Sequence, residues 1–452
     1  MNNANRLIPP PVYKSLSLPH RKFCQRFILD YRLWFLSFCF LIVSAENAHA
    51  YLDPGTGNAL IYVVISLIGA VVYAAKNLFY KILRKKKDSS FERGNGKTLV
   101  IFSEGKNYWG TFKPVIEALI ARKQPFAYYS MDVHDPALTI ENDLMEAKYI
   151  GDGTMAFAKM NNLEADILLS TTPNIGTENY PIKKSGKVRS LIHIWHSFGD
   201  YTYAWYHHGS LDHYDEVLTA GEYMNPQIRL IEQKRGLKEK KLVPVGVPYL
   251  DELAKEREGM NADTDGKTIL IAPSWGTKGC LTVYGIDFVR DLAKAGFNVI
   301  IRPHPQSLKV EKEKFDGFKR ELSEFSNVVW DEEVNGSVSM AKSDLMISDT
   351  SSVRMDFFAL YKRPVITLEM PVSDTSSYEY EDLKDLLAQS TMETDIGDKV
   401  SKEDIGQIVE RVKAALSSTA ARDFDALTAK YAVNFGHAGE AVADYLISEL
   451  NK

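Results

Sequence analysis

Short continuous apolar runs alternate along this chain with longer stretches whose apolar residues recur at helical spacing. Residues 98–102, 126–131, 167–170, 191–195 and 217–220 read as strands, and 112–121 reads as an amphipathic helix. A second series begins after the polar stretch 255–267. Its strands are expected at 268–272, 298–301, 328–330, 345–347 and 365–368, with the first intervening helix over 285–294. Strands that are apolar on both faces and separated by helices belong to parallel sheets covered on both sides. The expected fold is therefore α/β, with two tandem Rossmann-like doubly wound units over 98–254 and 266–400 and a helical tail over 402–452. Ligands of such sheets bind beyond the carboxyl ends of the strands, here between the two units.

A different pattern precedes the first unit. Residues 33–45 are apolar and uncharged, follow Arg21, Lys22, Arg26 and Arg32, and lead to Ala48-His49-Ala50. That layout predicts a signal peptide or a first membrane anchor over 1–50. A second uncharged run, 54–75, is long enough for a bilayer core about 30 Å thick. It opens an expected transmembrane helix over 54–81, flanked by Lys76, Lys81, Arg84, Lys85, Lys86 and Lys87. Basic flanks stay on the cytoplasmic side. The expectation is a single-pass or two-pass protein of the inner (plasma) membrane, with its folded units in the cytoplasm beside the inner leaflet. Residues 88–97, DSSFERGNGK, have the composition of a linker.

Composition changes this picture little. The chain has 452 residues, 45% apolar and 25% charged, more than one core needs. A net charge of −5 offers no basic field for a nucleic acid partner. Cys24, Cys39 and Cys280 are the only cysteines, too few for a disulfide framework, so the body is expected in a reducing compartment.

Candidate chemistry falls at the ends of expected strands. Arg302-Pro303-His304-Pro305 leaves a strand and enters a rigid turn, in which two prolines limit how Arg302 and His304 can point. A guanidinium binds phosphate through paired hydrogen bonds, and an imidazole adds a donor or a proton. The competing reading is a structural turn with a surface arginine. Ser348-Asp349-Thr350-Ser351-Ser352 forms the second such loop. Ser351 or Ser352 is expected to open the next helix, whose N–H groups and dipole favour an anion. Asp356, one turn further on, is a ligand or helix-cap candidate. The two loops together predict a two-sided phosphate cradle. In the first unit, His196 follows a strand and is a candidate general base for an acceptor hydroxyl. His207-His208-Gly209 lies close behind, at no recognised metal-ligand spacing. The pairs Asp263/Asp265 and Asp423/Asp425 follow no strand and read as solvated faces or caps. No metal or other cofactor is expected to be obligatory.

These motifs in this order resemble the CDP-glycerol glycerophosphotransferase family, teichoic acid primases and polymerases of the GT-B fold. The landmarks are Trp195-His196-Ser197, Val245-Gly246-Val247-Pro248, Ile271-Ala272-Pro273-Ser274-Trp275, the RPHP turn, and Ser348 to Phe357. The family's usual first motif is similar to Trp-His-Gly-Thr-Pro and a basic residue, where Ser197-Phe198-Gly199-Asp200 stands here. The resemblance implies that His196 is the acceptor base and that Arg302, His304, Ser351 and Ser352 hold a donor diphosphate, with Ser348, Asp349 and Thr350 in the same loop. His196 and His304 are then the catalytic candidates. The implied partners are a CDP-activated polyol donor and a membrane-associated glycan or lipid-linked acceptor. Two other functions fit the same motifs: a GT-B glycosyltransferase using a nucleotide-sugar donor, and a non-catalytic envelope-assembly scaffold.

Overall fold

A computed structural model describes residues 98–452, except 200, 261–266, 334 and 373. The expected signal or anchor, the expected membrane span, the linker and the Asp263/Asp265 pair lie outside the described residues. Among the described residues, no helix is long and apolar enough to cross a membrane.

Seven strands build the first sheet: β1 (Leu99–Ser103), β2 (Phe126–Ser130), β3 (Met145–Tyr149), β4 (Ala165–Ser170), β5 (Val188–Ile194), β6 (Glu216–Thr219) and β7 (Lys241–Pro244). They run parallel in the order β3-β2-β1-β4-β5-β6-β7. The second sheet holds β8 (Thr268–Ala272), β9 (Asn298–Ile301), β10 (Val328–Trp330), β11 (Leu345–Ser348), β12 (Val365–Leu368) and β13 (Gly397–Val400), in the order β10-β9-β8-β11-β12-β13. Both sheets reverse direction of growth between their first and fourth strands, the position where doubly wound folds take ligands.

The strands that form without a clear apolar signal are edge strands. β3 (MEAKY) buries only Met145, β7 is half-exposed, and β13 (GDKV) carries Asp398 and Lys399. An edge strand is covered less than a central one, so its sequence need not be continuously apolar. Central strands such as β1, with all five residues buried, carry the pattern that betrays them.

The C-terminal segment divides between the units. Helices Ile408–Ser418 and Phe424–Tyr431 stay with the second sheet, with Val412 in its core. Asp423 caps the latter helix, its carboxylate accepting the Ala426 N–H at 2.9 Å. The last helix, Ala438–Leu450, returns to the first unit and packs on helix Trp109–Ala121. A Cβ on Gly439 would lie 2.5 Å from the Pro114 Cβ, so only glycine allows this approach. Asp251 of the first unit accepts the N–H groups of Ala438 (3.2 Å) and Gly439 (2.8 Å), capping that helix across the chain.

Candidate active site

In the second unit the loops after β8, β9 and β11 meet. Asp349, fully buried just beyond β11, ties the loops after β8 and β11 together. Its carboxylate accepts the N–H of Ser274 and of Cys280, both at 2.8 Å, the hydroxyl of Ser274, and the N–H of Ser351 at 3.2 Å. Four donors occupy about all that a carboxylate can accept. Ser348 is likewise turned inward, donating its hydroxyl to the Ala272 carbonyl at 2.6 Å. The structure thus gives Ser348 and Asp349 to the framework of the loop rather than to its open face.

The turn after β9 separates its two candidates. Arg302 is turned to the end of β10, where it pairs with Asp331 at 2.7 Å. The guanidinium also lies against Gly336, where a Cβ would sit 2.6 Å from Nε. Burial raises the Asp331 carboxyl, but the Ser339 hydroxyl, the Glu333 N–H and Arg302 together hold it below the ordinary range. His304 remains half-buried at the mouth, tilted toward Trp275 with ring centroids 6.4 Å apart. Its Nδ1 accepts the Gln306 N–H at 3.1 Å, so in the neutral ring the proton sits on Nε2. Burial lowers its pKa, with Asp349 acting in the opposite direction.

Thr350, Ser351 and Ser352 form the open part of the loop. Among the described residues their hydroxyls make no hydrogen bond, although Ser352 stands at the N-cap of helix Val353–Tyr361. The serine side chains therefore do not cap the helix; the Ser351 carbonyl accepts the Arg354 N–H at 3.4 Å and the Ser352 carbonyl accepts that of Met355 at 2.9 Å. Behind them Arg354, with 1% of its surface exposed, bonds Glu393 at 2.6 Å, Thr367 at 3.0 Å and the Ser351 carbonyl at 3.2 Å. This buried cation reaches the loop from below. Asp356 neither caps the helix nor opens to the loop. It accepts the hydroxyl of Tyr249, in the first unit, at 2.6 Å, and burial pushes its pKa up to about 7 despite that bond.

Across the cleft, β5 delivers His196. Burial lowers its pKa while the Thr171 main chain works the other way. Nδ1 is buried and has no hydrogen-bond partner. A neutral imidazole with an unused lone pair is competent to take a proton. Tyr108 meets the ring edge-on, centroids 5.0 Å apart, and fixes its plane. The neighbouring His193 is completely buried among Trp195, Tyr206 and Tyr214 and belongs to the core.

The two walls meet. A cavity of ≈ 230 Å³ is lined by Ser197, Phe198 and Gly199 on one side and by Thr350, Ser352 and Arg354 on the other. Beside it, sharing Tyr201, Trp205 and Thr350, a cavity of ≈ 290 Å³ runs along the end of β12 to Glu369, Glu393 and Lys399. Together they approach the volume of small-molecule sites. His207 and His208 hold this arrangement rather than a ligand. His207 stacks on Tyr378 at 4.9 Å, and His208 bonds Glu379 and the Ser376 carbonyl. His208, Glu379 and Asp382 could converge on a cation, but Arg235 already bonds both carboxylates. Glu393, Lys399 and Trp205 carry no motif, and Arg354 stands within the Ser348 to Phe357 motif but is not among the residues expected there to bind a ligand. The only trace of Trp205 in sequence is the aromatic density of Tyr201-Thr202-Tyr203-Ala204-Trp205-Tyr206.

Residues 201–431, half of the chain, match the family model described as CDP-Glycerol:Poly(glycerophosphate) glycerophosphotransferase. No curated protein matches the chain by sequence. Among solved structures, the wall teichoic acid polymerase TagF is similar at 16% identity with a TM-score of 0.47, over 85% of this chain and 98% of that one. A UDP-GlcNAc 2-epimerase from Methanocaldococcus jannaschii gives 14% identity and a TM-score of 0.47, over 78% and 99%. A protein of Listeria monocytogenes assigned as a UDP-N-acetylglucosamine 2-epimerase gives 13% identity and a TM-score of 0.50, over 78% and 96%, and so shares the fold.

Proposed function

The chain belongs to the CDP-glycerol:poly(glycerophosphate) glycerophosphotransferase family and is a transferase of that kind; on that premise we propose that it moves glycerol phosphate, or a similar polyol phosphate, from a CDP-activated donor to a hydroxyl of a membrane-associated glycan or lipid-linked acceptor. The observation that carries the reading is the single cavity shared by the loop that follows His196 and the Thr350–Ser352 loop. Ser197, Phe198 and Gly199, which directly follow the proposed base, and Thr350, Ser352 and Arg354 of the proposed donor loop line one space.

In this reading the donor diphosphate lies over Thr350, Ser351 and Ser352. Their hydroxyls, the dipole of helix Val353–Tyr361 and the cation of Arg354 behind them offset its charge. His304 points Nε2–H at a phosphate oxygen. Arg302 keeps the turn in place through Asp331, and Asp349 keeps the loops after β8 and β11 in register. The acceptor hydroxyl gives its proton to neutral His196 as its oxygen bonds the glycerol-bearing phosphorus. The bond from that phosphorus to the bridging oxygen breaks, and CMP leaves with the oxygen. Phosphoryl transfer depends chiefly on such positioning and charge neutralisation. The anchor proposed over 54–81 would hold the units at the inner leaflet, within reach of a lipid-linked acceptor in cell-envelope (teichoic acid) synthesis.

The test is release of CMP from radiolabelled CDP-glycerol by the full chain in membranes carrying acceptor. His196→Ala and His304→Ala are each expected to slow release by about 10²-fold or more, the usual range for a lost acid or base. Release by both variants at the wild-type rate would refute the mechanism. Release of a nucleoside diphosphate from a nucleotide-sugar donor would instead identify a glycosyltransferase.

A further inference from the structure

The first sheet has its own reversal point, between β1 and β4, and the groups gathered there are separate from the donor loops. Glu104, just after β1, accepts the hydroxyl of Tyr180 at 2.6 Å. It also lies beside the phenol of Tyr108, whose pKa is raised by burial and by Glu104. Tyr108 in turn packs edge-on against His196. A continuous polar group therefore runs from the end of β1 to the end of β5. Two phenols leave part of a carboxylate's capacity of about four hydrogen bonds open.

A second observation comes from β4. Thr171, which follows it, is fully buried, yet its hydroxyl has no hydrogen-bond partner, and neither does Nδ1 of His196; the neighbouring Thr172 hydroxyl lies against the phenol of Tyr180. Buried polar atoms are rarely left unpaired, because each costs about 1–3 kcal/mol. Two on adjoining strand ends point to an occupant that brings hydroxyl groups. The carboxylate of Glu104 selects the kind of occupant. It attracts hydroxyl donors and repels a phosphate.

We propose that Glu104, with Tyr108 and Tyr180, binds the uncharged, hydroxyl-bearing end of the acceptor and presents one hydroxyl to His196. This rests on the transferase reading above and adds the acceptor's binding residues and chemical class. Glycerophosphoglycerol, which ends in free hydroxyls, and glycerol 3-phosphate, which ends in a phosphate, serve as probe acceptors for the full chain in detergent. In Glu104→Gln the KM for glycerophosphoglycerol is expected to rise about tenfold, as for loss of one charge-assisted hydrogen bond. The preference over glycerol 3-phosphate narrows, while calorimetric affinity for CDP-glycerol stays at the wild-type value. Tyr180→Phe shows the same effect more weakly, and decides the matter if Glu104→Gln melts early. Acceptor KM values within twofold of wild type in these variants, with donor affinity intact, would overturn the proposal. If wild type releases no CMP from CDP-glycerol, the transferase reading fails. Saturation-transfer NMR with glycerophosphoglycerol then decides this site: a signal in wild type that Glu104→Gln removes supports it, and no signal in wild type overturns it.

Discussion

Asp349→Asn separates a framework role from a ligand-binding one, because the substitution keeps shape and removes half the acceptor capacity. One carboxylate oxygen receives the N–H groups of Ser274 and Cys280, and the other receives the Ser274 hydroxyl and the Ser351 N–H. An amide can satisfy only one of these pairs, whichever way it is turned. The other pair then faces an NH2 group inside a site with no exposed surface. Hydrogen bonds to a charged partner contribute about 1.5–3 kcal/mol each, so the loss of one pair is about 3–6 kcal/mol. At roughly 2–4 °C per kcal/mol, Tm falls by roughly 6–24 °C. Thermal unfolding of the full chain in detergent measures this, and calorimetry at a temperature where the variant is folded measures CDP-glycerol binding. Both stability and donor affinity are expected to fall, since the loops after β8 and β11 lose their tie. A melting temperature within about 2 °C of wild type would refute the framework role, and a selective loss of donor affinity would then mean that Asp349 touches the donor.

Three further outcomes follow from the same contacts. Because burial lowers the His196 pKa and the base must be neutral, kcat/KM should rise with pH along a limb lying below the ordinary histidine value near 6.5 and stay flat above it; a limb above pH 7 in the pH–rate profile would contradict this. Asp356 has a folded pKa raised to about 7, so between its unfolded value near 4 and pH 7 the folded state binds the extra proton and stability falls as pH rises. Asp356→Asn, which can still accept the Tyr249 hydroxyl, should therefore melt at or above wild type at pH 8 and lose that advantage at pH 5. Arg354→Met leaves Glu393 paired with the half-exposed Lys399 and should cost about 3–5 kcal/mol, whereas Arg354→Met with Glu393→Gln should recover much of it; additive losses in chemical denaturation would exclude the coupling.

Sequence revealed those parts of the molecule where one interaction dominates. The central strands are apolar on both faces, and residues such as Leu99, Ile271 and Ile347 announce them directly. The turn at Pro303 and Pro305, the Thr350-Ser351-Ser352 run and the His196 loop fall at strand ends, so the placement of these three loops could be read from sequence. Orientation within those loops was not legible. Arg302 and His304 are two residues apart and look equally suited to phosphate, yet a carboxylate on the next strand turns one away and leaves the other at the mouth. Asp349 reads as part of a polar loop and proves to be its buried centre, a distinction set by donors on residues 274 and 280. Glu104 and Tyr180 lie 76 residues apart and carry no motif, because only the strand order β1-β4 brings them together.

The same logic explains why the first unit contributes so many contacts that are neither catalytic nor simply core. His196 and the Thr350 loop belong to different sheets, so their separation is defined only as well as the units are held. Trp205 of the first unit stacks on Tyr380 of the second at 5.4 Å, and Phe198 meets Phe358 at 6.2 Å. Arg235 bonds the fully buried Glu379, and Tyr249 bonds Asp356 in the helix that starts at the phosphate loop. Two of these ties sit in a cavity wall: Trp205 and Tyr380 line the larger cavity, and Phe198 lines the smaller one opposite Thr350. On the proposed reading, donor binding draws on both units at once, since residues of both line each cavity. A lesion in the Arg235–Glu379 pair would change the distance between base and phosphorus without touching either. In a reaction that depends on positioning, such a shift of about 1 Å is enough to cost about 10²-fold in rate.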